Sequence, residues 1–536
     1  MAKKLKFIFF LLFFIIIMAS PAYANMGEFI RIGLNSPTGS ININADSLNV
    51  FFALNGRFEY MGRIDGAGVF SISADNSFYV FIEDVGGYSS AFESARNRGA
   101  IAVLLDSGRW GIYAGPFADR AAAQNHASVS GGAVVEPSGR RLALNTGGNI
   151  VALFENHSLT PLFADSRGGM ININGSDYRG FLDAHRTGNN VTAVNVVNLE
   201  DYLYSVVPSE MPAGWHIEAL KAQAVAARSY AHTTLGSHAE QGFDLCATEH
   251  CQVYWGMSRE VESSTEAVRY TRGIVALFDG EIINAVYSSS SGGITENSEN
   301  VWSAASPYLR SRSDVYDTTG REWTRTFALS ELSRIAAANN ANIGDITSVT
   351  ITEITEAGRV LRLTLSGTAG NITLEREGIR TFFAPSSGGS LYSRNFRIGS
   401  FALTVGGVEI AGGNFEGRLF LLGRDSAAQR EVNSLMVLNG NNEIELIESG
   451  NLNVQAASGV QMLRAAAAPG TGLPDVRTVQ ISGGLSSSGS SVTFVGRGWG
   501  HGVGMSQHGA RGMAEAGYTF REILMHYYTG ITLDTR

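Results

Sequence analysis

The chain has 536 residues, room for about three or four domains at roughly 100–200 residues each. Apolar residues make up 44% and charged residues 17%, which excludes a disordered chain and a coiled coil, and 63 Gly against 11 Pro point to strands and turns rather than a helical bundle. A formal charge of −9 argues against nucleic acid as a partner, since phosphate binding needs a cationic surface, and two Cys are too few for disulfides to build the fold.

Residues 1–24 read as a secretory signal peptide. Lys3, Lys4 and Lys6 precede the apolar run from Phe7 to Met18, and Ala22-Tyr23-Ala24 offers a small-x-small exit. The run is short for a bilayer-spanning helix of about 20 residues. The alternative is an uncleaved anchor, the one arrangement that would tie the chain to a membrane. Either way the expected location is extracytoplasmic, secreted into or held at the cell wall.

Residues 25–75 read as a strand-rich N-terminal segment, with β-branched and aromatic runs between Gly, Asn and Asp. In 76–138 the expected order is a strand at Phe78–Ile82, a helix at Ser89–Arg98 capped by Ser89 or Ser90, strands at Ile101–Leu105 and Trp110–Phe117, and a helix at Ala118–His126. This β-α-β-β-α order, with Gly115-Pro116-Phe117 before the second helix, resembles the SPOR domain. The resemblance implies a sheet whose exposed face binds peptidoglycan stripped of its stem peptides.

Short strands return over 141–200. A helical stretch from Glu200 to Val206 is expected to stop at Pro208, and a second helix to run from Ile217 to Ala239 on an Ala-rich face. Between them, Pro208-Ser-Glu-Met-Pro212 holds a lone carboxylate, Glu210, between two prolines; it reads either as a pinned acid or as a carboxylate at a helix start. Lys221 and Arg228 are seven residues apart, so both leave the second helix from nearly the same side and could line a cleft. His238, Cys246, His250 and Cys251 follow; two thiolates and an imidazole suit zinc, while two close Cys in a secreted chain suit a disulfide.

Strand patterns occupy 271–288 and 346–375, and 401–485 is rich in Gly, Ser and Asn. The C-terminal run Gly496-Arg-Gly-Trp-Gly-His-Gly-Val-Gly-Met-Ser-Gln-His-Gly allows close backbone approach; it lacks both the Gly-Lys-Ser/Thr ending and the glycine spacing of nucleotide loops. A helix is expected over Phe520–Tyr528.

Six segments in order, VVPSEMP, EALKAQAVAARSYA, CATEHCQVY, SSSSGGITENSENVW, SPYLRS and GRGWGHGVGMSQHGARGM, resemble the catalytic domain of the stage II sporulation protein D (SpoIID/LytB) family. The resemblance covers 139–400 and 486–536, with 401–485 as an insertion. It implies an α+β, strand-rich multi-domain chain whose two-lobed catalytic domain surrounds a substrate cleft. It also implies a lytic transglycosylase of peptide-free glycan strands, or, as in LytB-type relatives, an enhancer of a cell-wall amidase, with roles in sporulation or wall remodelling. The family's acid falls on Glu210, its cleft cations on Lys221 and Arg228, and its Tyr-x-Lys pair on Tyr308 and Arg310, where Arg replaces Lys. Zinc ligands, where members have them, fall on Cys246 and Cys251 with His238, or His250 as the alternative. Such a zinc would be structural.

One carboxylate suffices for that reaction. The C6 hydroxyl of N-acetylmuramic acid attacks its own C1, so no second carboxylate is needed as nucleophile or to activate water. Glu210 would protonate the leaving oxygen and then take the hydroxyl proton, which asks for a pKa raised by apolar neighbours such as Met211 and Trp215. At least one of Lys221 and Arg228 is expected on the sugar's N-acetyl or lactyl groups.

Overall fold

The computed structural model describes residues 28–34, 36–54, 57–155, 161–398 and 490–536, together with the backbone of short strands between 402 and 479. The signal segment 1–24 lies outside the described residues, as does most of 401–485. The architecture is α+β, strand-rich and divided into several sheets, as expected. The chain forms two compact units, one of residues up to Gly214 plus Tyr230–Arg272, the other of Trp215–Ser229 plus Gly273–Arg536.

The first unit holds two large sheets. One, of seven strands, runs in the order Leu245–Cys246, Phe29–Gly33, Asn190–Asn198, Phe181–Thr187, Pro161–Asp165, Ser47–Leu54 and Arg57–Asp65. Asn190–Asn198 is a central strand: Val191, Val194, Val196 and Val197 are buried, and such β-branched runs suit a strand covered on both faces. The N-terminal strand pairs antiparallel with it and parallel with Leu245–Cys246. The other sheet has ten strands, drawn from 40–74, 78–135 and 142–179. The ten-stranded sheet takes strands from all three segments and the seven-stranded one from 25–75 and 139–400, and the core containing Ile41, Val50, Phe70, Trp110, Phe163 and Leu182 is continuous across 25–75, 76–138 and the start of 139–400.

Within 76–138 the elements are the strand Phe78–Gly86, the helix Tyr88–Arg98, the strands Ile101–Leu104 and Trp110–Phe117, the helix Arg120–Ser130 and the strand Ala133–Val135. The first strand lies between the last two, the order of a β-α-β-β-α-β split motif. Neither Ser89 nor Ser90 caps the first helix; Gly87 occupies that position in extended backbone, and both serines lie in the first turn. The second helix is capped by Asp119, whose carboxylate accepts the Ala122 N–H at 2.8 Å. Both helices cover one face through Ala91, Ala95, Ala123 and Ala127. The opposite face is not the open surface that the SPOR resemblance implies. Tyr79 and Val103 are fully buried there, and the Arg141 guanidinium sits 5.0 Å from the Tyr79 ring and 5.8 Å from that of Tyr113. Arg141 is itself buried, donating to Glu155 at 2.6 Å and to the Glu136 carbonyl at 2.8 Å. What stays open is a depression of about 500 Å³ lined by Tyr113, Glu136, Arg141 and Glu155.

Two helix boundaries differ from expectation. The first helix runs Leu199–Glu210, through Pro208, and so continues for two residues past the bond to the Tyr204 carbonyl that the proline ring removes. It stops when Pro212 forces Met211 into extended backbone (φ −133°, ψ 126°). The second ends at Thr233, six residues early, before Gly236 in left-handed backbone.

The second unit contains four small sheets with described side chains. Ile274–Phe278 pairs with the C-terminal strand Thr532–Thr535, Tyr287–Ser288 with Met505–Ser506, Trp323–Ala328 with Ser491–Gly496, and Ile346–Ile354 leads a three-stranded meander. Its core gathers Leu332, Val349, Leu363, Phe383 and Phe494. The helix Phe520–Tyr527 is held by a capping box between Thr519 and Glu522.

Candidate functional site

Glu210 is the last residue of its helix and half-buried. Its Oε1 accepts the backbone N–H of Val253 at 3.1 Å. The segment that supplies this donor is anchored on both sides. Gln252 is buried and accepts from the Tyr202 hydroxyl at 3.1 Å; Tyr254 is 3% exposed and donates to Asn195 Oδ1 at 2.7 Å. Trp255 N–H donates to Ser205 Oγ, 3.2 Å away and on the same helix as Glu210. The carboxylate is thus pinned by a neighbouring segment as well as by the prolines around it. Neither Val253 nor Trp255 carried a signal in the sequence, because a backbone donor has no residue-type signature.

The same segment begins at a cluster of four donors. His238, Cys246, His250 and Cys251 place one ligand atom each within 4.8 Å of one another. His238 Nε2 lies 3.3 Å from Cys251 Sγ, and His250 Nδ1 lies 3.4 Å from Cys251 Sγ and 3.7 Å from Cys246 Sγ. Donors around tetrahedral zinc stand about 3.5 Å apart, given Zn–S near 2.3 Å and Zn–N near 2.0–2.1 Å. The set fits that ion with both imidazoles that the sequence offered as alternatives. His238 Nδ1 is 2.6 Å from Gln241 Oε1, a carbonyl acceptor that would orient the ring for ligation through Nε2. Both cysteines are free thiols. Burial pushes Cys251 up to about 11; it also opposes ionisation of Cys246, but hydrogen bonds from Thr248 and Cys251 together outweigh it and hold that thiol below its usual value.

The remaining expected residues lie in the second unit. Lys221 donates to Glu218 Oε1 at 2.7 Å, and Glu218 Oε2 accepts the Phe520 N–H at 2.8 Å. Burial raises the Glu218 pKa, yet those two donors more than offset it and the carboxyl lies below its usual range. Arg228, expected to line a cleft with Lys221, is 1% exposed and donates to the Ile274 carbonyl at 3.0 Å. That bond ties it to the first residue of the strand Ile274–Phe278. The Tyr308 hydroxyl accepts the Asn284 N–H at 3.2 Å. Arg310 grips Glu299 with both arms, at 2.8 and 2.5 Å, a fork that Lys cannot form.

The serine-rich and glycine-rich motifs pack together inside this unit. Asp314 is fully buried and accepts from Ser291 at 2.6 Å and Tyr527 at 2.8 Å; burial raises its pKa. Asp317 accepts from Ser290 at 2.5 Å and from the Gly292 N–H at 3.1 Å. The serines therefore satisfy two buried aspartates that sequence reading passed over. Glycine is required at Gly502 and Gly504, both with positive φ: a Cβ would meet the Arg359 guanidinium at 2.5 Å and the Val286 carbonyl at 2.1 Å. Between them and Trp499 lies His501, whose Nδ1 accepts the Val503 N–H at 3.0 Å. Trp215, expected near Glu210, packs against His508 with ring centroids 4.9 Å apart.

Residues 187–278, which include Glu210 and all four clustered donors, match a family model described as Stage II sporulation protein. Residues 317–417 match a domain of unknown function, DUF8618. The chain is 29% identical over 333 residues to an amidase enhancer of Bacillus subtilis (strain 168), covering 62% of this chain and 40% of that protein's length. It is 28% identical to an uncharacterized protein of Brachyspira hyodysenteriae over 67% of this chain and 73% of the relative. It is 27% identical to stage II sporulation protein D of B. subtilis over 66% of this chain and 78% of the relative. No helix among the described residues is long and apolar enough to cross a membrane.

Proposed function

Because residues 187–278 form a domain of the stage II sporulation protein D family, we propose that this chain acts on the cell wall, as a lytic transglycosylase of peptide-free peptidoglycan strands. The observation that carries the reading is Glu210: a single carboxylate, half-buried, with one oxygen held by the Val253 N–H at 3.1 Å. The Glu210 acid gives its proton to the glycosidic oxygen leaving C1 of N-acetylmuramic acid. The C6 hydroxyl oxygen bonds to C1, forming the 1,6-anhydro ring, and its proton returns to the Glu210 carboxylate. The attack is intramolecular, so most of the entropic barrier is met within the sugar. Lys221, Tyr308 and Arg310 are assigned to substrate; removal of the stem peptide frees a lactyl carboxylate as a target for the cations.

Zinc would be held by His238, Cys246, His250 and Cys251. Four protein donors leave no open position, so it would lock the loop leading to Val253. The depression beside Arg141 supports at most a secondary contact with wall polymer.

The test is mass analysis of products from defined peptide-free glycan. The full chain should release anhydro-muramic ends; Glu210→Gln should release none while melting at the same temperature. Equal product from the variant removes Glu210 from the reaction. The match to an amidase enhancer favours a second reading, in which the chain binds glycan and stimulates an amidase without cutting. It predicts no product from the purified chain and faster peptide release by an added amidase.

A further inference from the structure

We propose that Trp255 is a sugar-stacking residue that seats the glycan strand next to Glu210. The proposal rests on the glycan reading above and extends it to a residue that neither the motifs nor the comparisons single out.

Along 252–256, side chains alternate in and out. Gln252, Tyr254 and Gly256 are buried, while Val253 is half-buried and Trp255 is 55% exposed. An indole this open in a segment this well anchored is unusual, since large aromatic side chains normally bury most of their area. Its backbone is fixed from three directions. Its N–H donates to Ser205 Oγ at 3.2 Å, its carbonyl accepts from Ser258 at 3.0 Å, and the next residue, Gly256, takes a positive φ of 63°. A Cβ at Gly256 would meet the Asp177 carbonyl at 2.5 Å, so the chain there is packed as tightly as a core. The exposed ring is therefore carried on rigid backbone, which spares a ligand the entropy of ordering it.

Its place relative to the acid follows from two hydrogen bonds. Val253 N–H meets Glu210, and Trp255 N–H meets Ser205, five residues earlier on the same helix. At about 1.5 Å per residue, these anchor points are about 7.5 Å apart along the axis, longer than one sugar ring and shorter than a disaccharide repeat. Ser205 is itself buried, so what the bond fixes is the backbone that carries the indole two residues from the Glu210 contact, and a strand seated on the indole would extend towards Glu210. The chemistry fits a pyranose: its C–H face carries partial positive charge and is apolar, and the indole face is electron-rich and apolar. Hydroxyl and N-acetyl groups at the ring edge stay in water.

The test uses the full chain with Glu210→Gln, so that strands bind without being cut, and reads the dissociation constant for peptide-free glycan. Adding Trp255→Ala should weaken binding at least tenfold, the usual scale for truncating a stacked Trp; Trp255→Phe should stay within about threefold. In the cleaving chain, Trp255→Ala should raise KM and leave kcat within about twofold. Binding unchanged by Trp255→Ala overturns the proposal. So does intact glycan binding with lost stimulation of an amidase, which would give the surface to a protein partner. A parent chain that binds glycan but never cuts it would end the cleavage reading and leave the stacking result to stand on the binding data. A parent that binds no glycan ends both.

Discussion

Arg228 and Arg310 are both cations suggested by a motif, and the structure gives them different work. Arg228 is buried with its guanidinium on a backbone carbonyl, so Arg228→Ala leaves a buried acceptor and is expected to lower stability by about 1–3 kcal/mol in urea denaturation. Arg310 pairs with Glu299 near the surface, and Arg310→Lys should change stability by less than about 1 kcal/mol. A larger loss at Arg310 would mean that the fork carries fold as well as charge. His501 gives a pH signature. Burial, with help from Arg380, pushes its ring down to about 3, and the neutral ring accepts the Val503 N–H. The unfolded ring protonates near its ordinary value of about 6.5. The stability it contributes is fully present above that pH and is lost as pH falls towards 3. His501→Asn, which keeps a neutral acceptor, should flatten the fall in unfolding free energy between pH 6.5 and 4; an unchanged slope would assign the acid sensitivity to other groups.

At the level of elements, the helix Leu199–Glu210 and the four-donor cluster meet in one short segment, so donors and acid are joined by backbone running from Cys251 to Val253. The expected outcome is one zinc per chain by elemental analysis. Chelation should lower the melting temperature and expose two thiols to a thiol reagent, and His250→Ala should bind zinc more weakly. Thiols that stay unreactive in the stripped chain would indicate a disulfide. Chelation that stops product formation without moving the melting temperature would indicate that the metal serves chemistry and not the loop. The local signals in this region were readable. Glu210, the thiols and the Ala-rich helix stand out because composition and spacing within a few residues decide them. Pro208 misled, since the helix runs on past the one bond its ring removes, and only Pro212 marks the stop. Val253 and the buried Asp314 were invisible: one acts through an amide common to all residues, and the other depends on Ser291 and Tyr527, the latter more than two hundred positions away.

At the scale of the molecule, long-range pairing was the least readable feature. Nothing local in Phe29–Gly33 reveals that it lies between Asn190–Asn198 and Leu245–Cys246, with Ile30 and Ile32 at 3% and 0% exposure. Residues 187–278 alone lack that strand. A fragment of those residues is expected to remain unfolded by circular dichroism, and the full chain with Ile32→Asp to melt well below the parent. A stable, folded fragment would show that the N-terminal strand is an accessory. The same pairing bears on the order of events in folding. The Arg31 backbone meets Asp244 across 213 residues, so the strand carrying Cys246 is expected to dock late, after a very large loop has closed. Until then two thiols, five positions apart, are loose in a nascent polypeptide exposed to whatever oxidant surrounds it. Metal supplied during refolding is therefore expected to have more influence on whether they end as ligands or as a crosslink than metal added afterwards.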